Sequence, residues 1–192
     1  MDNISPPHKV QPGHKLSPYH QSKYLIREEM PIIIENHPHY KSLNSKLLQD
    51  AESMGYPESY KSNVKAKMSN WQCDSKNINI IKNWVKQILV RDCKFDPTST
   101  GYHLDVIETW FSKYDKGDYT NLHSHINTLW SFVYFINCPK GSSPLIFKTS
   151  GKKIKAEEGK LVIFPGTILH YVPQNKCENR VVLAGNVINC YI

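Results

Sequence analysis

Three histidines and one arginine between residues 123 and 180 of the 192-residue chain have types and an order that could do chemistry. His123 and His125 lie in YDKGDYTNLHSHINTLWSFVYFI, and His170 and Arg180 lie in GKLVIFPGTILHYVPQNKCENRVVLAGNV. In an extended strand, residues i and i+2 project to the same face. His123 and His125 would therefore point together from a strand end, and the glycine-containing YDKGDYTN before them would be a loop leading to that rim. His170 follows the tight turn Pro165-Gly166 and can close a triangle of imidazoles around a metal. His103, also in a β-rich run, fits an ordinary strand histidine.

Three protein ligands on one side of a metal leave positions open for substrate and oxygen. Non-haem Fe(II) oxygenases need that openness, usually with two His and one carboxylate. Arg180 opens an apolar run, RVVLAGNVI. A buried arginine must be paired, and its planar guanidinium can hold a carboxylate through two parallel hydrogen bonds. A dicarboxylate could thus chelate the metal at one end and meet Arg180 at the other. Tyr134 or Ser131, on the strand after the histidine pair, could add a hydroxyl donor. A purely structural reading of Ser131 and Tyr134 is strand packing.

These residues need a rigid frame. Residues 29–35 read as a short strand and 62–72 as another, by alternation. Residues 41–54 have a helical pattern, with Leu43, Leu47, Leu48 and Met54 on one side and Gly55 and Pro57 as the stop. Residues 76–92 form a second helix, with Ile78, Ile81, Trp84, Val85, Ile88 and Leu89 on one face. Ser75 or Asn77 would cap it, and Arg91 suits its negative C-terminal end. From residue 102 the texture changes. Seven short β runs, 103–114, 129–137, 144–148, 152–156, 160–164, 168–172 and 180–188, alternate with turn residues. The predicted fold is α+β but mainly β: a sandwich or jelly roll with the helices packed on one sheet. Residues 1–22, rich in proline, read as an irregular arm ahead of one domain over 23–192, with a supporting part over 23–101 and a β core over 102–192.

Composition narrows the classes. The formal charge of +7 and pI near 9.1 suit an acidic partner, although lysines and acids are interspersed. The lysines are scattered and no nucleic-acid motif is present, so nucleic acid is not the expected partner. A basic binding module using Tyr56, Tyr60, Trp71 and Trp110 for stacking is the alternative on that side. Five cysteines without a CxxC pair argue against a disulfide framework and fit a reducing cytoplasm. No apolar run is long enough to span a membrane, and the N-terminus does not read as a signal peptide.

Over Trp110–Asn186 the chain resembles the Fe(II)/2-oxoglutarate-dependent oxygenases with a double-stranded β-helix, jelly-roll or cupin-like core. Tyr114, Gly117, His123, His125, His170 and Arg180 echo the prolyl-hydroxylase pattern of Tyr, Gly, HxD, distal His and Arg. EEGKLVIFPGTILHYV and RVVLAGNV are more closely similar to an oxygenase family common in marine bacteria and tailed phages. The resemblance implies Fe(II) held by His123 and His170, 2-oxoglutarate as co-substrate and molecular oxygen as the oxidant. It implies hydroxylation of a C–H bond in a peptide, protein or small metabolite, with succinate and CO2 released. His125 stands where the superfamily has an acid. It can be a third neutral ligand, or sit behind the metal while water or Asp118 completes the set. A neutral three-histidine set also suits Zn²⁺, so a cupin-like metalloenzyme that does not use 2-oxoglutarate is the second reading.

Overall fold

A computed structural model describes residues 30–92 and 101–191; the expected arm over 1–22 lies outside them. The elements run β1 (Ile33–Asn36), α1 (Tyr40–Met54), β2 (Val64–Lys65), β3 (Lys67–Met68), α2 (Lys76–Asp92), β4 (Tyr102–Tyr114), β5 (Tyr119–His123), β6 (Trp130–Asn137), β7 (Leu145–Phe147), β8 (Lys153–Ile154), β9 (Lys160–Pro165), β10 (His170–Val172) and β11 (Arg180–Tyr191). Both helices fall where the apolar period places them. The Ser75 hydroxyl accepts from the Ile78 N–H at 3.1 Å, and so caps α2. Arg91 in the last turn of α2 pairs with Asp92 and with Glu35 of β1.

The protein is mostly β, with two antiparallel sheets. The larger has the order β1-β9-β6-β11-β4-β3 and the smaller β2-β5-β10-β7-β8. The expected strand over 62–72 is instead two two-residue strands in different sheets. β2 pairs with β5 and β3 with β4, so the chain crosses between the sheets at the fully buried Ala66. The segment before His123, expected as a loop, contains β5. Its pattern is inverted, with polar Thr120 buried and apolar Leu122 exposed, so hydrophobic alternation could not reveal it.

Alternation along the central strands separates two cores. One face of the larger sheet meets the helices: Phe132, Tyr134 and Ile136 of β6 and Leu183 of β11 pack with Leu47, Ile81 and Ile88. The other face meets the smaller sheet: Phe135, Phe164, Val182 and Trp110 pack with Val64, Leu145, Phe147 and Val172. Asn44 of α1 anchors the helical layer. Its side-chain amide donates to the Ile136 carbonyl at 2.6 Å and its oxygen accepts the Tyr134 hydroxyl at 2.7 Å. Removing a buried partner leaves the others unsatisfied, at a cost of about 1–3 kcal/mol. Asn44→Ala should therefore lower unfolding stability by about that amount without altering the denaturant slope, which urea titration followed by circular dichroism would measure.

Candidate metal and carboxylate site

The space between the sheets narrows to a cavity with about 480 Å³ of atom-free space, part of it continuous with solvent. His123, His125 and His170 line one end, and Arg180, Tyr114, Ser112 and Thr120 are also among its lining residues. One ligand atom from each histidine lies within 4.8 Å of the others, the one such donor cluster among the described residues.

Each histidine arrives differently. His123 ends β5 and His170 begins β10, and the two are direct partners in the antiparallel ladder. Their rings lie 4.3 Å apart between centroids. His125 is not in the strand; it sits in the turn after it. Its N–H donates to the Gly166 carbonyl at 2.7 Å, and its own carbonyl accepts from the Thr128 N–H and hydroxyl. The imidazoles therefore converge because the loop folds back on Gly166, rather than by strand alternation alone. Trp110 flanks His125 with ring centroids 6.2 Å apart, and Phe164 meets His170 edge-on at 4.7 Å.

The rings present lone pairs. Nδ1 of His123 lies 2.8 Å from the Asn121 carbonyl, and Nδ1 of His170 lies 2.9 Å from the Ile168 carbonyl. A carbonyl only accepts, so both Nδ1 atoms carry the proton and both Nε2 atoms are free donors for a metal. Burial lowers all three pKa values. It is the largest cause in each case, followed for His125 and His170 by the neighbouring imidazoles. His125 falls to about 4 and His170 to about 3. All three are neutral near pH 7, the form that ligates metal. Asp118 does not complete the set. Its oxygens accept from the Tyr60 hydroxyl and the Asp115 N–H in the turn before β5.

Arg180 is 1% exposed, and its Nε and Nη1 donate to nothing. No carboxylate among the described residues pairs with it. It lies against the rings of Tyr114 at 4.5 Å and Phe135 at 5.5 Å, contacts that favour a cation but leave its N–H groups unmet. The Tyr114 and Thr120 hydroxyls, 2.7 Å apart, share the same cavity. Thr120 was hidden from sequence reasoning because β5 was. Tyr114 was visible only through the family pattern.

Of the two hydroxyls expected beside the co-substrate, one is elsewhere. Tyr134 points to the helices and donates to Asn44, because alternation places it opposite to Phe135. Ser131 does line the cavity, but its hydroxyl donates to the Asn186 oxygen at 2.9 Å, so it presents an acceptor. Of the aromatics of the stacking reading, Trp110 is buried, Trp71 packs on it, Tyr56 bonds to Glu52, and Tyr60 is exposed with its hydroxyl donating to Asp118.

No protein-family profile matches the sequence, and no curated protein matches it. Its fold, however, is similar to that of solved prolyl hydroxylases. A viral collagen prolyl hydroxylase from Paramecium Bursaria Chlorella virus-1, in complex with 2-oxoglutarate, is similar over 80% of this chain and 94% of its own, with a TM-score of 0.63 at 15% identity. A Pseudomonas putida prolyl-4-hydroxylase covers 82% and 92% at a TM-score of 0.61 and 15% identity. A Trichoplax adhaerens prolyl hydroxylase bound to a hypoxia inducible factor peptide covers 81% and 82% at 0.60 and 14%.

Two outcomes follow from this geometry. A Cβ on Gly166 would collide with the Thr128 hydroxyl and stand 2.7 Å from the His125 carbonyl. Gly166→Ala should push the His125 loop away and weaken metal binding at least about tenfold, read by titration with Mn(II) or Co(II), while the circular dichroism spectrum stays the same. A buried, unmet guanidinium destabilises the ligand-free protein, so Arg180→Met should raise its unfolding free energy by about 1–3 kcal/mol, read by urea titration.

Proposed function

We propose that the protein is a non-haem Fe(II)- and 2-oxoglutarate-dependent dioxygenase that hydroxylates a C–H bond. The observation that carries this reading is Arg180: a buried cation without a counter-ion, in the same cavity as three neutral histidines. A protein that keeps such a charge has an anionic ligand to offset it. His123, His125 and His170 would hold Fe(II), which when bound supplies the oxidative chemistry of the cofactor class. Arg180 would hold the distal carboxylate of 2-oxoglutarate with both unmet N–H groups, supported by Tyr114 and Thr120. In balance, 2-oxoglutarate, O2 and R–H would yield succinate, CO2 and R–OH.

The finer architecture in this reading is a double-stranded β-helix, supported by the two facing sheets and the solved neighbours. We read it as one oxygenase domain over 23–192, supported by the helices and β core sharing one apolar cluster. Ser131 would contact the bound molecule only as an acceptor. The neighbours named for collagen or a transcription-factor peptide make a peptide or protein side chain the favoured substrate class. No helix of the described residues is long and apolar enough to cross a membrane; a cytoplasmic setting is supported by the free cysteines. The three-histidine metalloenzyme without 2-oxoglutarate would have favoured Arg180 against a protein carboxylate, and none among the described residues meets it.

His170→Ala should abolish Mn(II) or Fe(II) binding. Arg180→Met should weaken 2-oxoglutarate at least about a hundredfold, as expected for a lost charge-assisted pair, and change metal affinity less than about twofold. Titration of the metal-loaded protein, followed by its absorption or paramagnetic resonance spectrum, measures both. Metal binding that 2-oxoglutarate does not perturb, with no succinate formed alongside any peptide pool, would reject the reading.

A further inference from the structure

Of the seven lysines between Tyr119 and Cys177, three stand together on one hairpin beside the histidine end of the cavity, and the same stretch has two acids, Glu157 and Glu158. Glu157 is already held by Lys155 and Lys160, and Glu158 accepts the Cys138 N–H. The β7–β8 hairpin carries Lys148, Lys152 and Lys153, all exposed and none in an ion pair among the described residues.

Register places the hairpin tip at the metal. Phe147, the last residue of β7, is the ladder partner of His170, the first residue of β10. The Lys148 N–H then donates to the Leu169 carbonyl at 2.9 Å. Residues 148–152 therefore stand beyond His170, at the cavity mouth. The rest of that rim is apolar and exposed. Ile126, between His125 and Thr128, is 77% exposed, and Leu129 and Leu169 are more than 40% exposed. Glu108, on β4, already accepts from the Asn186 amide at 2.7 Å.

We infer that this rim is a docking surface for an acidic peptide segment, whose carboxylates meet Lys148 and Lys152 and whose apolar side chains rest on Ile126, Leu129 and Leu169. Unpaired lysines beside a neutral-ligand metal site attract negative charge. Large exposed aliphatic side chains fit peptide side chains better than phosphates and bases, which are read by basic and aromatic groups. The inference rests on the oxygenase reading only in taking the bound segment to be the substrate.

The test uses the full chain and fluorescence anisotropy at low salt. The probes are a labelled Glu-Leu-Gly repeat peptide, its Lys-Leu-Gly and Glu-Ser-Gly counterparts, and an oligothymidylate of similar length. The Glu-Leu-Gly peptide should bind about tenfold or more tighter than either counterpart, and weaken as salt is raised. Lys148→Glu with Lys152→Glu should remove the preference, whereas Lys140→Glu with Lys176→Glu, the same change in charge elsewhere, should keep it. Binding of 2-oxoglutarate should be unchanged in all of them. Equal affinity for the acidic and basic peptides, indifference to the hairpin reversal, or tighter binding of the oligothymidylate would overturn the assignment. Absence of 2-oxoglutarate binding by the unaltered metal-loaded protein, with the peptide preference intact, would remove the oxygenase reading and leave the docking surface standing.

Discussion

A positive charge without a partner, buried at Arg180, is the constraint on which the rest of this site depends. Desolvating a guanidinium is costly unless anions or acceptors replace its water. Here the sheet supplies aromatic faces from Tyr114 and Phe135 and nothing that accepts from Nε or Nη1. The surrounding fold tolerates this because two full cores lie on either side of the larger sheet. The ligand-free protein is thereby kept short of its best stability, and the deficit is a reserve of binding free energy for an anion.

The metal end solves a different problem. Three imidazoles must be neutral, close and correctly turned. Neutrality comes from burial, closeness from the β5–β10 register and the Gly166 contact, and orientation of two rings from the carbonyls of Asn121 and Ile168. In both cases the acceptor belongs to the residue two positions earlier, so the same local device fixes both tautomers. No carboxylate among the described residues joins the three histidines, so a divalent ion there would keep its full charge and draw anions more strongly than a carboxylate-bearing site would.

Much of this was legible in the residues themselves. Apolar spacing located α1 and α2 closely, because each helix buries one continuous stripe. The strand runs from 129 onward were visible because their buried faces are apolar. Three things were not legible. β5 hides because its buried residue is Thr120 and its exposed one is Leu122. The role of Tyr134 depends on which face of β6 meets the helices, and Tyr134 and Ser131 differ by an odd number of residues, so they cannot share a face. The position of His125 depends on a long-range contact with Gly166 that no local pattern encodes. His123, His170 and Arg180 were readable since their spacing survives as ladder partners and strand ends.

The wall formed by β6 is only one strand thick, with Ser131 and Val133 lining the cavity, Phe135 in the core beside it, and Phe132, Tyr134 and Ile136 packed with the helices. Loss or gain of a single residue within it would exchange the two sets. Tyr134 and its hydroxyl would enter the cavity, while the helical layer would lose the group that Asn44 holds.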